Sequence, residues 1–270
     1  MESHLQFALH FSGDHGRPDE DAIAVENDCV AVFDGVTLLH QDPYPVPSPA
    51  AKAAEQGASA AIEYALSHIR ESDFLIGCFT EANRAIRGIN SDLGITAETV
   101  DFLSVQYAAA VGAIACFGDP VLHYAQINDC GVMLCRPNGS LISGLITQKA
   151  GVADCLKAAR EAGCFSAGSP EEHIFVRREL INNPEIPFSE YVLTGEEVAI
   201  SGVRTREIVV QEPLKVLVYS DGFVPLLGSI YFRNKILRAA DAAEASEYVS
   251  RARNARLHTG EASITVLSIE

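Results

Sequence analysis

Cys29-Val-Ala-Val-Phe-Asp34-Gly35 and Leu214-Lys-Val-Leu-Val-Tyr-Ser-Asp221-Gly222 share one pattern, an apolar run of strand character that ends in Asp-Gly. An Asp leaving a buried strand holds its carboxylate at the sheet edge, and the glycine after it lets the backbone turn away or come close to a bound group. A third acidic group, Asp19-Glu20-Asp21, lies just upstream of the first run. Carboxylates that converge must protonate, separate or share a cation, and a hard divalent ion such as Mg2+ or Mn2+ accepts several oxygens at once. The plain alternative for either pair alone is a turn, because Asp-Gly is a favoured turn dipeptide.

Outward from these runs the chain reads as strands, then helices, then strands. Residues 4 to 12, 22 to 26 and 29 to 34 have β character. The proline-spaced stretch Asp42 to Pro49 is extended, and Ser48-Pro49 suits a helix start. Residues 50 to 69 and 72 to 91 form two adjacent helices, the second carrying Phe74, Leu75, Cys78, Phe79, Ala82 and Ile86 at helical spacing. From Phe102 to Cys135 β runs return, and Asn138-Gly139 marks a hairpin. A helical excursion follows at about 149–190, then strands near 191 to 200 and 206 to 220, helices at 231 to 240 and 243 to 256, and a last strand from Ser263 to Ile269. Blocks of strands separated by helix pairs imply an α+β layered sandwich, and nothing divides the 270 residues into separate domains.

Composition narrows the function classes. Thirty-six acidic against twenty basic residues give a formal charge of −16, which argues against binding a bare nucleic-acid backbone but leaves room for a phosphorylated substrate beside a metal ion. Seven cysteines without a Cys-x-x-Cys pair read as thiols in a reducing compartment. Apolar runs fall short of a membrane span and Met1-Glu-Ser-His-Leu-Gln has no signal-peptide pattern, so the expectation is a soluble cytoplasmic protein with no membrane partner. Oligomeric state is open. Gly-x-Ser-x-Gly, the phosphate-binding Gly-x-x-x-x-Gly-Lys loop and His-Glu-x-x-His are all missing. Cys130 and Arg136 have a Cys-x5-Arg spacing, yet an extended strand between them sets the two ends roughly 20 Å apart, too far for one phosphate cradle.

The acidic pairs, their order and their strand contexts together resemble the PP2C (PPM) family of metal-dependent serine/threonine phosphatases. Gly16-Arg17-Pro18-Asp19-Glu20-Asp21 is similar to its Arg-x-x-Asn-Glu-Asp motif, and Val32-Phe33-Asp34-Gly35 matches its Val-Phe-Asp-Gly. Asn128-Asp129-Cys130 looks like Gly-Asp-Ser, and Ser220-Asp221-Gly222 matches Ser-Asp-Gly. The resemblance spans the chain. It implies two packed antiparallel β-sheets flanked by helix pairs, an αββα sandwich, with a centre for two Mg2+ or Mn2+ ions at one end. By the same resemblance Asp34 bridges both metals, the Gly35 carbonyl touches one, Asp221 binds the other, Glu20 and Asp21 hold metal or its water, and Arg17 holds the phosphate. Arg17 sits one residue nearer the Glu-Asp pair than the family Arg, and a solvated loop Arg is the equal alternative. Asp129 reads as a turn residue bound to backbone amides more readily than as a ligand.

Two further departures matter. Where the family often has a His after the second motif this chain has Val36, leaving His40 and His15 as candidate general acids, with Tyr44 on the same proline-rich stretch. Where the family ends Asp-Asn-x-Thr, this chain has Gly260-Glu261-Ala262-Ser263-Ile264-Thr265, so Ala262 takes the place of the metal Asp and Glu261 is the candidate replacement. The expectation is a metal-dependent phosphomonoester hydrolase acting on phosphorylated proteins. The alternatives are a catalytically impaired regulatory or binding module on the same fold, and a small-molecule phosphatase.

Overall fold

The computed structural model describes residues 1–13, 18–36, 48–96, 99–100, 107–145, 152–254 and 260–270. Among them ten strands make two five-stranded antiparallel sheets. One has the order β1 (Ser3–Phe11), β10 (Ala262–Ile269), β9 (Leu214–Tyr219), β6 (Gly131–Cys135), β7 (Leu141–Leu145). The other has the order β2 (Asp21–Glu26), β3 (Cys29–Gly35), β4 (Ala110–Gly118), β5 (Val121–Ile127), β8 (Arg204–Val209).

Period-two alternation decides how the layers stack. In β9, Leu214, Val216 and Val218 belong to the core that includes the β3–β4 sheet, while Leu217 and Tyr219 face an outer cluster with Phe223, Leu226 and Ile236. The helices α5 (Val224–Gly228), α6 (Ile230–Arg238) and α7 (Ala242–Asn254) cover that outer face. On the opposite side α1 (Pro49–His68) and α2 (Phe74–Asp92) cover β3 and β4. Alanines 53, 54, 58, 61 and 65 of α1 are fully buried, and such small side chains let the two helices and the sheet approach closely. The result is the expected αββα sandwich.

The excursion between β7 and β8 contains α3 (Val152–Glu161), α4 (Pro170–Phe175) and a π-helical turn, Val176–Leu180. Residues 191 to 200 depart from the sequence expectation. They make one isolated bridge, Ala110 with Leu193, and then a 3-10 helix, Glu197–Gly202. The reason lies in two buried amides of α2. Asn83 accepts from the backbone N–H groups of Thr194 and Gly195 and donates to the Glu196 carbonyl, and Asn90 donates to the Thr194 carbonyl. Backbone groups that a strand would pair in a ladder are satisfied by side chains instead.

Candidate metal centre

The site forms at one end of the sandwich, where β2 begins, β3 ends, β9 ends and β10 begins. Asp21 and Asp34 are directly opposite one another on β2 and β3. Phe33 points to the helix layer, where it stacks on Phe79, so Asp34 points the other way, into the gap between the sheets. From the facing sheet, Ser220 donates to Asp21 Oδ2 at 2.7 Å and accepts the Ser263 backbone N–H at 2.9 Å. The two layers are therefore tied by hydroxyls at the level of the carboxylates.

Burial, reinforced by mutual repulsion among the acids, dominates the electrostatics of the site. Burial, then the charges of Asp21, Asp221, Asp129 and Glu261, push Asp34 well above the ordinary carboxylate range. Asp21 is pushed up to about 7 by burial and by Glu261, against the lowering effect of hydrogen bonds from Ser220 and Ser263. A fully buried thiol, Cys130, sits under the same field and is raised by burial first and then by Asp34. A donor set of several converging carboxylates with raised pKa values suits a hard divalent cation, whose charge removes the penalty that the acids impose on one another.

Both Asp-Gly pairs owe their glycines to close approach. A Cβ on Gly35 would lie 2.5 Å from the Ala50 carbonyl oxygen at the start of α1, and one on Gly222 would lie 1.9 Å from the Glu261 carbonyl oxygen. Each glycine thus lets an Asp-bearing strand end press against the element that closes the site. Ser48 closes it further: it caps α1 by accepting from Ala50 N–H and Ala51 N–H while its hydroxyl donates to Glu20 Oε1.

Glu261 faces the Glu20–Asp21 backbone. Its Oε1 accepts both N–H groups, at 2.7 and 2.6 Å, and its pKa is raised by burial despite these bonds. Ala262 packs instead in the outer apolar cluster with Phe223 and Ile264, on the other face of β10. Asp129 lies in the turn between β5 and β6, as a turn residue should, yet its charge reaches Asp34. Its placement was visible in the sequence only as an Asp between two strands. His10 of β1 was not singled out from the sequence at all, and it lies beside Glu261, 4.0 Å from Nε2 to Oε1. Arg17, His40, His15 and Tyr44 lie outside the described residues, as do positions 37–47 between β3 and α1. Strand β6 separates Cys130 from Arg136, which pairs with Glu212. No phosphate cradle forms there.

No protein-family model and no curated protein matches the sequence. Solved structures do match it, along its whole length. The catalytic domain of the serine/threonine phosphatase PstP, solved with two manganese ions, aligns with a TM-score of 0.65 at 14% identity over 99% of each chain. The Mycobacterium tuberculosis phosphatase PstP/Ppp aligns at 0.61 and 16% identity over all of both chains. MsPP of Mycobacterium smegmatis, a PPM Ser-Thr phosphatase solved with cacodylate, aligns at 0.61 and 13% identity over 99% of this chain and 97% of that one. The fold is that of the PP2C-type (PPM) phosphatases. At these identities the fold is what is shared.

Proposed function

We propose that this chain, read as one PP2C-like domain, is a phosphomonoester hydrolase that uses Mg2+ or Mn2+ and acts on phosphoserine or phosphothreonine in proteins. The observation that carries this is the burial of Asp34 between the sheets, opposite Asp21, within reach of the charges of Asp21, Asp221, Asp129 and Glu261. Asp34, Asp221 and the Gly35 carbonyl would hold the ions, and Asp21 and Glu20 would hold ligand or water. Ions held here would supply Lewis acidity, neutralising phosphoryl oxygens and lowering the pKa of a water so that hydroxide is available to attack. The protein's own contribution is placement. Ser220 and Ser263 fix the Asp21 rotamer, and Ser48 fixes Glu20, so the acids are held before an ion arrives. Arg17 would orient the phosphate, and His40 would protonate the leaving oxygen in the place where Val36 cannot.

A second reading, an impaired enzyme or binding module, is favoured by one observation. Oε1 of Glu261 is committed to two backbone N–H groups, and Ala262 points away into an apolar cluster. Hydrolysis of an artificial aryl phosphate, abolished by chelator and restored by Mn2+, is expected for the enzyme; no turnover at any metal concentration supports the module. Among natural substrates, phosphopeptides should exceed small phosphate metabolites in kcat/KM.

A further inference from the structure

His10 stands beside the acidic cluster on a neighbouring strand. Its Nδ1 is 2.9 Å from the Ser263 hydroxyl oxygen. That hydroxyl also hydrogen-bonds the Asp21 carboxylate. Ser263 has one proton, and once Asp21 is ionised, as a metal ligand must be, the hydroxyl donates to Asp21 and accepts from His10 Nδ1–H. The chain Nδ1–H to Oγ–H to carboxylate leaves the imidazole's other nitrogen facing outward. Nε2 lies 3.2 Å from Asp19 Oδ2 and 4.0 Å from Glu261 Oε1.

Nε2 is within hydrogen-bonding reach of Asp19, and the same gap between the ring and the acids suits a shared cation. One ligand atom each from His10, Asp21 and Glu261 lie within 4.8 Å of one another, a spacing that small side-chain rotations convert to ordinary metal–ligand distances. A hydrogen bond from the far ring nitrogen is the usual means of fixing a ligating histidine. Asp19 Oδ2, which also accepts from the Ser12 hydroxyl at 2.6 Å, adds a further oxygen at the same place.

We propose that His10, Asp21 and Glu261 form a nitrogen-containing cation site at the rim of the centre, selective for Mn2+ or Zn2+ over Mg2+. The proposal shares Asp21 with the hydrolytic reading and rests on it only there. Imidazole favours the later transition ions, whereas an all-oxygen site does not turn Mg2+ away. Glu261 serves this site with the carboxylate lone pairs that its two backbone N–H groups leave free.

Electron spin-echo spectroscopy of the Mn2+-loaded full chain should show coupling to one imidazole nitrogen, absent in His10→Ala. Calorimetric titration of the same pair should show Zn2+ affinity lowered by about tenfold or more and Mg2+ affinity changed by less than about threefold. His10 is partly exposed on an edge strand, so the variant is expected to fold, which circular dichroism checks. Nitrogen coupling that persists in Asp34→Asn, with hydrolysis lost, upholds the rim site independently of the main centre. Metal-dependent hydrolysis with no nitrogen coupling and unchanged Zn2+ affinity in His10→Ala overturns the rim site and leaves the hydrolase standing.

Discussion

Asp34 lies among the charges of four other acidic side chains, and burial removes the water that would screen them. Asp34→Asn keeps the shape and removes one charge. Metal-dependent hydrolysis is expected to fall by roughly 10²-fold or more, while the melting temperature in chelator rises, because the substitution relieves repulsion that an ion would otherwise cancel. A melting temperature that drops in chelator would mean that Asp34 is already stabilised by a partner in the protein. Glu261 separates two roles by its own substitutions. Gln can still accept the Glu20 and Asp21 N–H groups through its amide oxygen but carries no charge, and Ala can do neither. Turnover retained in Glu261→Gln and lost in Glu261→Ala identifies a backbone clasp; loss in both identifies a ligand. Ala262→Asp is expected to destabilise by about 3 kcal/mol or more in urea unfolding, since it sets a carboxylate in the apolar cluster with Phe223 and Ile264 and adds no ligand.

Helix α1 depends on a single buried serine at its start. Ser48→Ala removes a cap, which costs about 1 kcal/mol, and also leaves Glu20 without that donor. Asp is ordinarily as good a cap as Ser. Here Ser48→Asp would oppose Glu20, so it should be no more stable than Ser48→Ala in chemical denaturation; full rescue by Asp would show that the Glu20 contact carries no weight. Element identity was largely legible. Apolar runs located β3 and β10, and helical spacing located α1 and α2 within a residue or two, whereas the stretch expected as strand at 206 to 220 is two strands, β8 and β9, in different sheets. The strand expected at 191 to 200 failed because its competitors, Asn83 and Asn90, sit more than a hundred residues away in sequence, on α2. No local pattern reveals a backbone segment satisfied by distant amides.

At the scale of the whole molecule, stability without metal should fall as pH rises. The folded pKa of Asp21, about 7, exceeds its ordinary value of 3.8, and Asp34 shifts in the same direction. Below the ordinary value both folded and unfolded chains are protonated and the acids do not oppose folding. Across the window from 3.8 to about 7 the unfolded chain releases protons that the folded one retains, so stability is lost and then levels off. Thermal melts in chelator at pH 5 and pH 8 should show the loss. Mn2+ at about a hundred times its dissociation constant should restore about 2.7 kcal/mol at pH 8. A metal-free protein equally stable at both pH values would contradict the clustering.

By itself the sequence determined the layered α+β architecture, the two strand exits at Asp34 and Asp221, and the acidic pair at Glu20 and Asp21, because apolar runs and Asp-Gly chemistry are local properties that survive in one dimension. Tertiary structure alone decided which carboxylates meet. Asp129 joins them because β5 and β6 belong to different sheets and the turn between them crosses the site end. Ala262 turns away into the outer cluster because the pairing of β10 between β1 and β9 sets which layer it faces, and Glu261, just before the strand, turns to the Glu20–Asp21 backbone. His10 comes beside Glu261 through that same pairing, which sets it opposite Ser263 across a sequence separation of 253 residues. Carboxylate repulsion is a property of distance, and distance across the gap between two sheets is fixed only when both sheets are packed.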